Sequence, residues 1–310
     1  MTTTATRPGS IATAGRPRKR RGERRSWAGW AFVAPFMVVF VAMLIVPIVY
    51  ALYLSLFRQQ LIGGNAFVGL NNYFQVFTDA RFWGSFLRVL LFLVVQVPIM
   101  IALALVAALA LDSARLHWAS FFRIAVFLPY AVPGVVAALI WGFIYGPRFG
   151  LTGTINSALN SAVLQPFSPD WVLTSIGNVV TWEYLGYNML IFYSALRVVP
   201  TDLYEAAELD GAGQFRIISA VKLPALRGAI VIAAIFSIIG SFQLFNEPNL
   251  LRTLAPNVIG SDFTPNIYAY NLSFAGQQFN YAATVAIVMG IITAVIAYVV
   301  QVRGNRAETR

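Results

Sequence analysis

Apolar residues run in long blocks along this chain, and polar residues gather in the gaps between them. A helix needs about 20 mostly apolar residues to cross a bilayer. Six blocks reach or approach that length: 30–56, 89–111, 124–145, 173–196, 229–245 and 281–302. They predict an all-α membrane protein with six transmembrane helices. Pro35, Pro47, Pro98, Pro129 and Pro133 fall inside the blocks. Neighbouring helices can satisfy the carbonyls a proline frees, so kinks rather than breaks are expected. The fifth block is the shortest, and Pro248 just beyond it predicts a kinked or broken continuation.

Between the fourth and fifth blocks lies a charged interruption, 200–228, reading PTDLYEAAELDGAGQFRIISAVKLPALRG. Thr201 or Asp202 can cap a short helix, with Glu205 three residues after Asp202 as in a capping box. Asp210-Gly211 predicts a sharp turn, since glycine takes positive φ at little cost. Phe215, Ile218 and Val221 then share one helical face, with Arg216 and Lys222 elsewhere. Asp210 is a candidate cap for that second helix. Two short helices around a glycine corner form a compact lug that can sit in a groove of another protein.

Composition and charge agree with the blocks. Of 310 residues, 58% are hydrophobic and 11% charged, against about a quarter charged in soluble domains. The net charge of +10 is concentrated at Arg16, Arg18, Lys19, Arg20, Arg21, Arg24 and Arg25, just before the first block. A basic cluster so placed is a topology signal and a contact for anionic lipid, and no nucleic-acid module accompanies it. Residues 1–26 read as a disordered basic tail, 27–303 as the transmembrane domain and 304–310 as a short tail. Arg115, Arg123, Arg197, Arg216, Lys222, Arg227 and Arg303 fall on the side of the N-terminal cluster. Arg58, Arg81, Arg88, Arg148 and Arg252 fall on the other. The positive-inside rule therefore puts both termini and 200–228 in the cytoplasm.

Polar groups at membrane depth are costly, at roughly 3 kcal/mol for a central acid or base, and mark pathways by default. The fourth block carries Glu183, with Thr181, Tyr184 and Asn188 on one face and Tyr187 nearby. The end of the fifth carries Gln243, Asn246 and Glu247 on one face, beside Phe242 and Phe245. Carboxylates and amides take up sugar hydroxyls, and aromatic rings cover sugar C–H faces. Such residues also serve to hold helices together, and Glu247 equally suits headgroup water. The chain has no cysteine and one histidine, His117. Neither of its lysines, Lys19 and Lys222, ends a GxxxxGK phosphate loop, so ATP hydrolysis would need another polypeptide. No catalytic group, metal cluster or cofactor site stands out.

Glu205-Ala206-Ala207, Asp210-Gly211-Ala212, Val221 and Leu223-Pro224 resemble the EAA loop of bacterial ABC importer permeases. Val221 stands where isoleucine is commoner, and Gly228 where proline is common. Val68-Gly69-Leu70-Asn71-Asn72-Tyr73 is similar to the GLxNY string of the carbohydrate-uptake branch. The TxGGP-like string usual after the fifth span is replaced by Leu251-Arg252-Thr253-Leu254-Ala255-Pro256. The resemblance implies a non-catalytic, multi-pass subunit of the bacterial plasma (inner) membrane, working by alternating access. It implies an ABC ATPase dimer, a second homologous permease, an extracytoplasmic sugar-binding (lipo)protein and a sugar substrate. Glu205, Ala206, Ala207, Asp210, Gly211, Phe215, Leu223 and Pro224 would meet the ATPase. Glu183, Tyr184, Tyr187, Asn188, Phe242, Gln243 and Asn246 would line the substrate pathway. The loop also occurs in phosphate, amino-acid and peptide importers. An ion-coupled secondary transporter is the rival of a different class.

Overall fold

The computed structural model describes residues 27–60, 63–113 and 116–308. The N-terminal stretch expected to be disordered lies outside the described residues, as does Arg115. The described chain is almost wholly helical and divides into two units, Met1–Val49 and Tyr50–Arg310. In the first, helix Trp27–Phe40 runs into a π-helical turn, Val41–Ile45. Helix Val46–Ser55 follows, and Gly29–Ser55 is long and apolar enough to cross a membrane.

Three further stretches of the second unit meet the same test: Ala80–Leu111, Arg227–Leu251 and Phe279–Gly304. The first of these begins well before the expected residue 89, because Asp79 caps it. The Asp79 carboxylate accepts from the amides of Arg81 and Phe82 at 2.9 and 3.4 Å. That cap also leaves Asn71–Thr78 as a separate helix. The fifth expected span does continue past a break. Helix Arg227–Phe242 ends, and Asn246–Leu251 begins after a short irregular segment that precedes Pro248.

The third expected span is corrected. In place of a kinked helix over 124–145, segments Ala119–Ala131 and Gly134–Ile144 meet at 98°. Pro133 forces Val132 into an extended conformation, φ −79 and ψ 128, and its own missing N–H stops the ladder. The fourth is a helix, Val172–Leu196, of 25 residues. Its polar positions keep it outside the set that is apolar enough by composition. The six expected spans thus become four apolar helices, one broken pair and one polar-faced helix. The described chain is mostly helical, with one small hairpin beside the helices. Phe57–Gln60 pairs antiparallel with Gly64–Phe67, Phe57 opposite Phe67, across glycines 63 and 64 at positive φ.

Three apolar clusters hold the second unit together. One joins Phe82, Phe86 and Val89 to Phe242, Tyr281 and Val285. A second sets Phe92 and Ile176 against Leu244, Leu251, Ile259 and Ile267. In the third, Ala104 and Ala108 let helix Ala80–Leu111 approach Met189, Phe192 and Ala233 closely, as small residues do between membrane helices. Gly186 makes a close approach as well. A Cβ there would run into the Val126 carbonyl, so Val172–Leu196 can lie against Ala119–Phe127 only without one.

Asp79 and Asn72 finish the opposite end of the unit from 200–228. One Asp79 oxygen accepts from the hydroxyls of Tyr268 and Tyr281 at 2.6 and 2.7 Å. Burial alone would raise this carboxyl; the tyrosine and backbone hydrogen bonds outweigh it and hold it below its usual range. Asn72, from the VGLNNY string, is buried and donates to the carbonyls of Ser55 and Phe57, both at 2.8 Å.

Candidate functional site

Two places bring the expected residues together. The first is the loop. Helix Thr201–Leu209 starts after Pro200, with no side-chain cap, so the capping box expected from Asp202 and Glu205 does not form. Proline at the N-cap already sets the chain direction. Its C-terminal end is closed by Gly211 at φ +78. The amide of Ala212 donates to Ala207 O at 2.9 Å and that of Gly211 to Glu208 O at 3.0 Å. These two bonds form a Schellman motif. Asp210 is therefore the C-cap of the first helix rather than a cap of the second, which Gly213 begins.

The second run also differs from expectation. Helix Gln214–Ile217 passes into a π-helical turn, Ile218–Lys222, which adds a residue to the turn and rotates the faces. Ile217 is buried, while Phe215 is 84% and Leu209 89% exposed. Glu205, Ala206, Asp210, Gly211 and Pro224 are exposed, and Ala207 and Leu223 half-buried. Leu209 joins Phe215 as a projecting apolar side chain that the periodicity did not single out.

Beneath the loop sits a pair that sequence reasoning missed. Lys222 is buried, and its ammonium donates to Asp112 Oδ2 at 2.6 Å. The same nitrogen lies 5.3 Å from the centre of the Tyr204 ring. Burial, and then the Asp112 charge, push the Tyr204 hydroxyl up. Lys222 belongs to the π-turn, Asp112 caps helix Ala80–Leu111, and Tyr204 belongs to the first loop helix. Three elements meet on one charge pair.

The second place is a cavity of about 380 Å³ inside the second unit. Tyr184, Tyr187, Asn188, Gln243 and Asn246 line it, as the polar faces predict, and so does Glu247. Tyr130, at the broken pair, stacks on Tyr187 with ring centres 4.9 Å apart and planes 20° apart. Gln96 lines it too, hydrogen-bonded to the Thr181 hydroxyl. Neither was singled out. Gln96 carried the signal nonetheless, being an amide within a block of apolar residues.

Two expected pathway residues stand elsewhere. Phe242 is in the core, stacked on Phe86 at 5.9 Å, because Gln243 follows the last helical residue and turns toward the cavity in its place. Glu183 is buried behind the wall. It faces Gly134, where Asn246 and Glu247 also converge. Glu247 is itself buried, not in headgroup water. Two polar atoms here lack a partner: Glu183 Oε2 and Asn188 Oδ1. Rings that can cover C–H faces, and amides with free hydrogen-bonding capacity, are the groups that hold a polyhydroxylated molecule. Among the described residues no group of three or more His, Cys, Asp or Glu could hold a metal.

No family model matches the chain. It is 32% identical over 279 residues to the lactose transport system permease protein LacF of Rhizobium radiobacter, covering 87% of this chain and 91% of that one. The trehalose transport system permease protein SugA of Mycobacterium tuberculosis is 32% identical over 292 residues, covering 94% and 92%. The diacetylchitobiose uptake system permease protein NgcF of Streptomyces coelicolor is 30% identical over 317 residues, covering 96% and 88%. A chain of a bacterial ABC transporter involved in import of the acidic polysaccharide alginate shares the fold. Its TM-score is 0.80 at 19% identity, over 91% of this chain and 96% of that one. With loop, apolar helices, fold and full-length relatives in agreement, the chain belongs to the sugar-system permease subunits of ABC importers.

Proposed function

We propose that this chain forms one wall of the path by which a sugar or oligosaccharide crosses a bacterial plasma membrane, with loop 200–228 receiving the stroke of a separate ATPase. The observation that carries the reading is the cavity, in which tyrosine plates face amides and an unpartnered asparagine oxygen at membrane depth. A permease subunit hydrolyses nothing itself. The exposed Glu205, Phe215 and Leu209 suit a groove on the ATPase, and the Schellman turn at Gly211 holds them on a rigid corner.

The four apolar helices, the broken pair and Val172–Leu196 make six crossings, with both termini and the loop in the cytoplasm by their basic residues. A second permease completes the path, and an extracytoplasmic binding protein delivers the sugar. A crystal structure of the alginate transporter with a pentasaccharide-bound periplasmic protein supports the second partner, its permease having this fold. ATP-driven closure of the motor moves the loop, and rocking of the helices opens the cavity to alternate sides.

Asn188→Ala together with Gln243→Ala tests the cavity. Each removes hydrogen bonds worth about 1 kcal/mol, so uptake of the transporter's own sugar should fall roughly tenfold or more. The variant chain should still co-purify with its partners. Undiminished uptake would remove the cavity from the path.

A further inference from the structure

The cavity wall has a one-sided charge. Of its described lining residues none is Arg or Lys, and Glu247 is the only acid. Directly behind stands Glu183, 4% exposed, converging with Glu247 on Gly134 and with Oε2 unpartnered. Two carboxyls that share a site do not both ionise, so the pair holds at least one proton and carries at most one negative charge. Cations held at least partly inside the unit stand elsewhere: the half-buried Arg123 lies over the Tyr193 ring, and the half-buried Arg252 is not among the residues lining the cavity. Arg88 donates to the carbonyls of Asp262 and Phe263 and lies over the Phe263 ring, and Lys222 is paired with Asp112. Asn188, 2% exposed, is another lining residue and carries an oxygen without a partner, a further acceptor.

Resting on the pathway reading above, we infer that the Glu183–Glu247 pair makes this cavity selective for uncharged and amino sugars and rejecting of uronic-acid sugars. A hydroxyl or an ammonium donates to the pair and to Asn188. A uronate carboxylate has nothing to donate and meets a like charge in a confined, poorly screened space, where such repulsion is strong. The fold itself imposes no such choice, since the alginate importer that shares it is involved in import of an acidic polysaccharide. Selection lies in the side chains on the wall.

The chain has no cysteine, so one introduced thiol reports the local field. Gly240 lines the cavity, and a Cβ built there meets nothing within 4 Å. Gly240→Cys in the intact transporter is treated with a cationic methanethiosulfonate (trimethylammonium-ethyl) and with an anionic one (sulfonatoethyl). The mass added to this chain is followed for each. The ratio of the two rates cancels the reactivity of the thiol itself. Relative to 2-mercaptoethanol, it should favour the cation by roughly tenfold or more. Glu247→Gln, alone or with Glu183→Gln, should return the ratio toward that of the free thiol.

A ratio equal to the free thiol's, or inverted, in the otherwise unaltered chain overturns the inference while leaving the pathway reading intact. So does a high ratio that survives both glutamines, since the field then comes from other groups. If neither reagent reaches Gly240→Cys while Ser219→Cys on the exposed loop is labelled, the pathway reading itself fails, and this inference with it. Where a glutamine variant does not fold, a background ratio equal to the free thiol's, or inverted, still overturns the inference.

Discussion

At the scale of single residues, the charge pair beneath the loop governs what substitution can do. Lys222 and Asp112 have side chains 11% exposed each, so removing one partner strands the other charge out of water. Lys222→Met should lower the stability of the solubilised chain by roughly 3 kcal/mol. Replacing both partners by apolar residues, as Asp112→Leu with Lys222→Met, should recover most of that, because no lone charge remains. Thermal unfolding of the three variants checks it. A double variant as unstable as the single one would mean the pair is not the cause. This interaction was not legible in the sequence, where the two residues stand 110 positions apart and Lys222 reads as one more solvated base. Asn188 and Gln243 were legible, because amides are rare in apolar blocks. Phe242 was misread because periodicity ran on through the end of its helix.

Among the elements, the loop was the most readable and its second half the least. Gly211 declared the turn by its identity alone. The π-turn at Ile218–Lys222 left no mark in the pattern, since one extra residue in a turn comes from packing against neighbours rather than from local preference. In the helical turn before it, Ile217 is buried and Phe215 faces outward. Leu209→Ser with Phe215→Ser should therefore leave stability within about 0.5 kcal/mol, as exposed sites do, while co-purification with the ATPase drops several-fold. An unstable chain would show that these side chains are packed, and unchanged co-purification would show that the motor grips another surface. The hairpin Phe57–Gln60 with Gly64–Phe67 was hidden because four-residue strands carry too little alternation to stand out beside aromatic connectors.

At the scale of the whole molecule, the apolar blocks announced membrane crossings because bilayer thickness sets a minimum length that few other structures need. How the third block is shaped was not announced, since five intramembrane prolines looked alike and only Pro133, next to Pro129, ends a helix outright. The orientation is open to a direct check. Ser219→Cys and Ser273→Cys, labelled with a membrane-impermeant maleimide in sealed cells, should differ, with Ser273→Cys reacting and Ser219→Cys silent until lysis. Equal reaction from outside would break the topology.

The 98° corner at 131–134 has a consequence for where water can go. Hydrocarbon does not forgive peptide groups left without partners, so lipid tails must be kept off this bend by protein or replaced by solvent. Tyr130 beside the bend, with Asn246 and Glu247 facing Gly134, supplies a polar lining on one side of it. A hydrated pocket beside the bend is thus the natural companion of a chain that folds back on itself there. A variant that straightened the bend into one rod would lose the need for that moisture, and with it the room for a passenger.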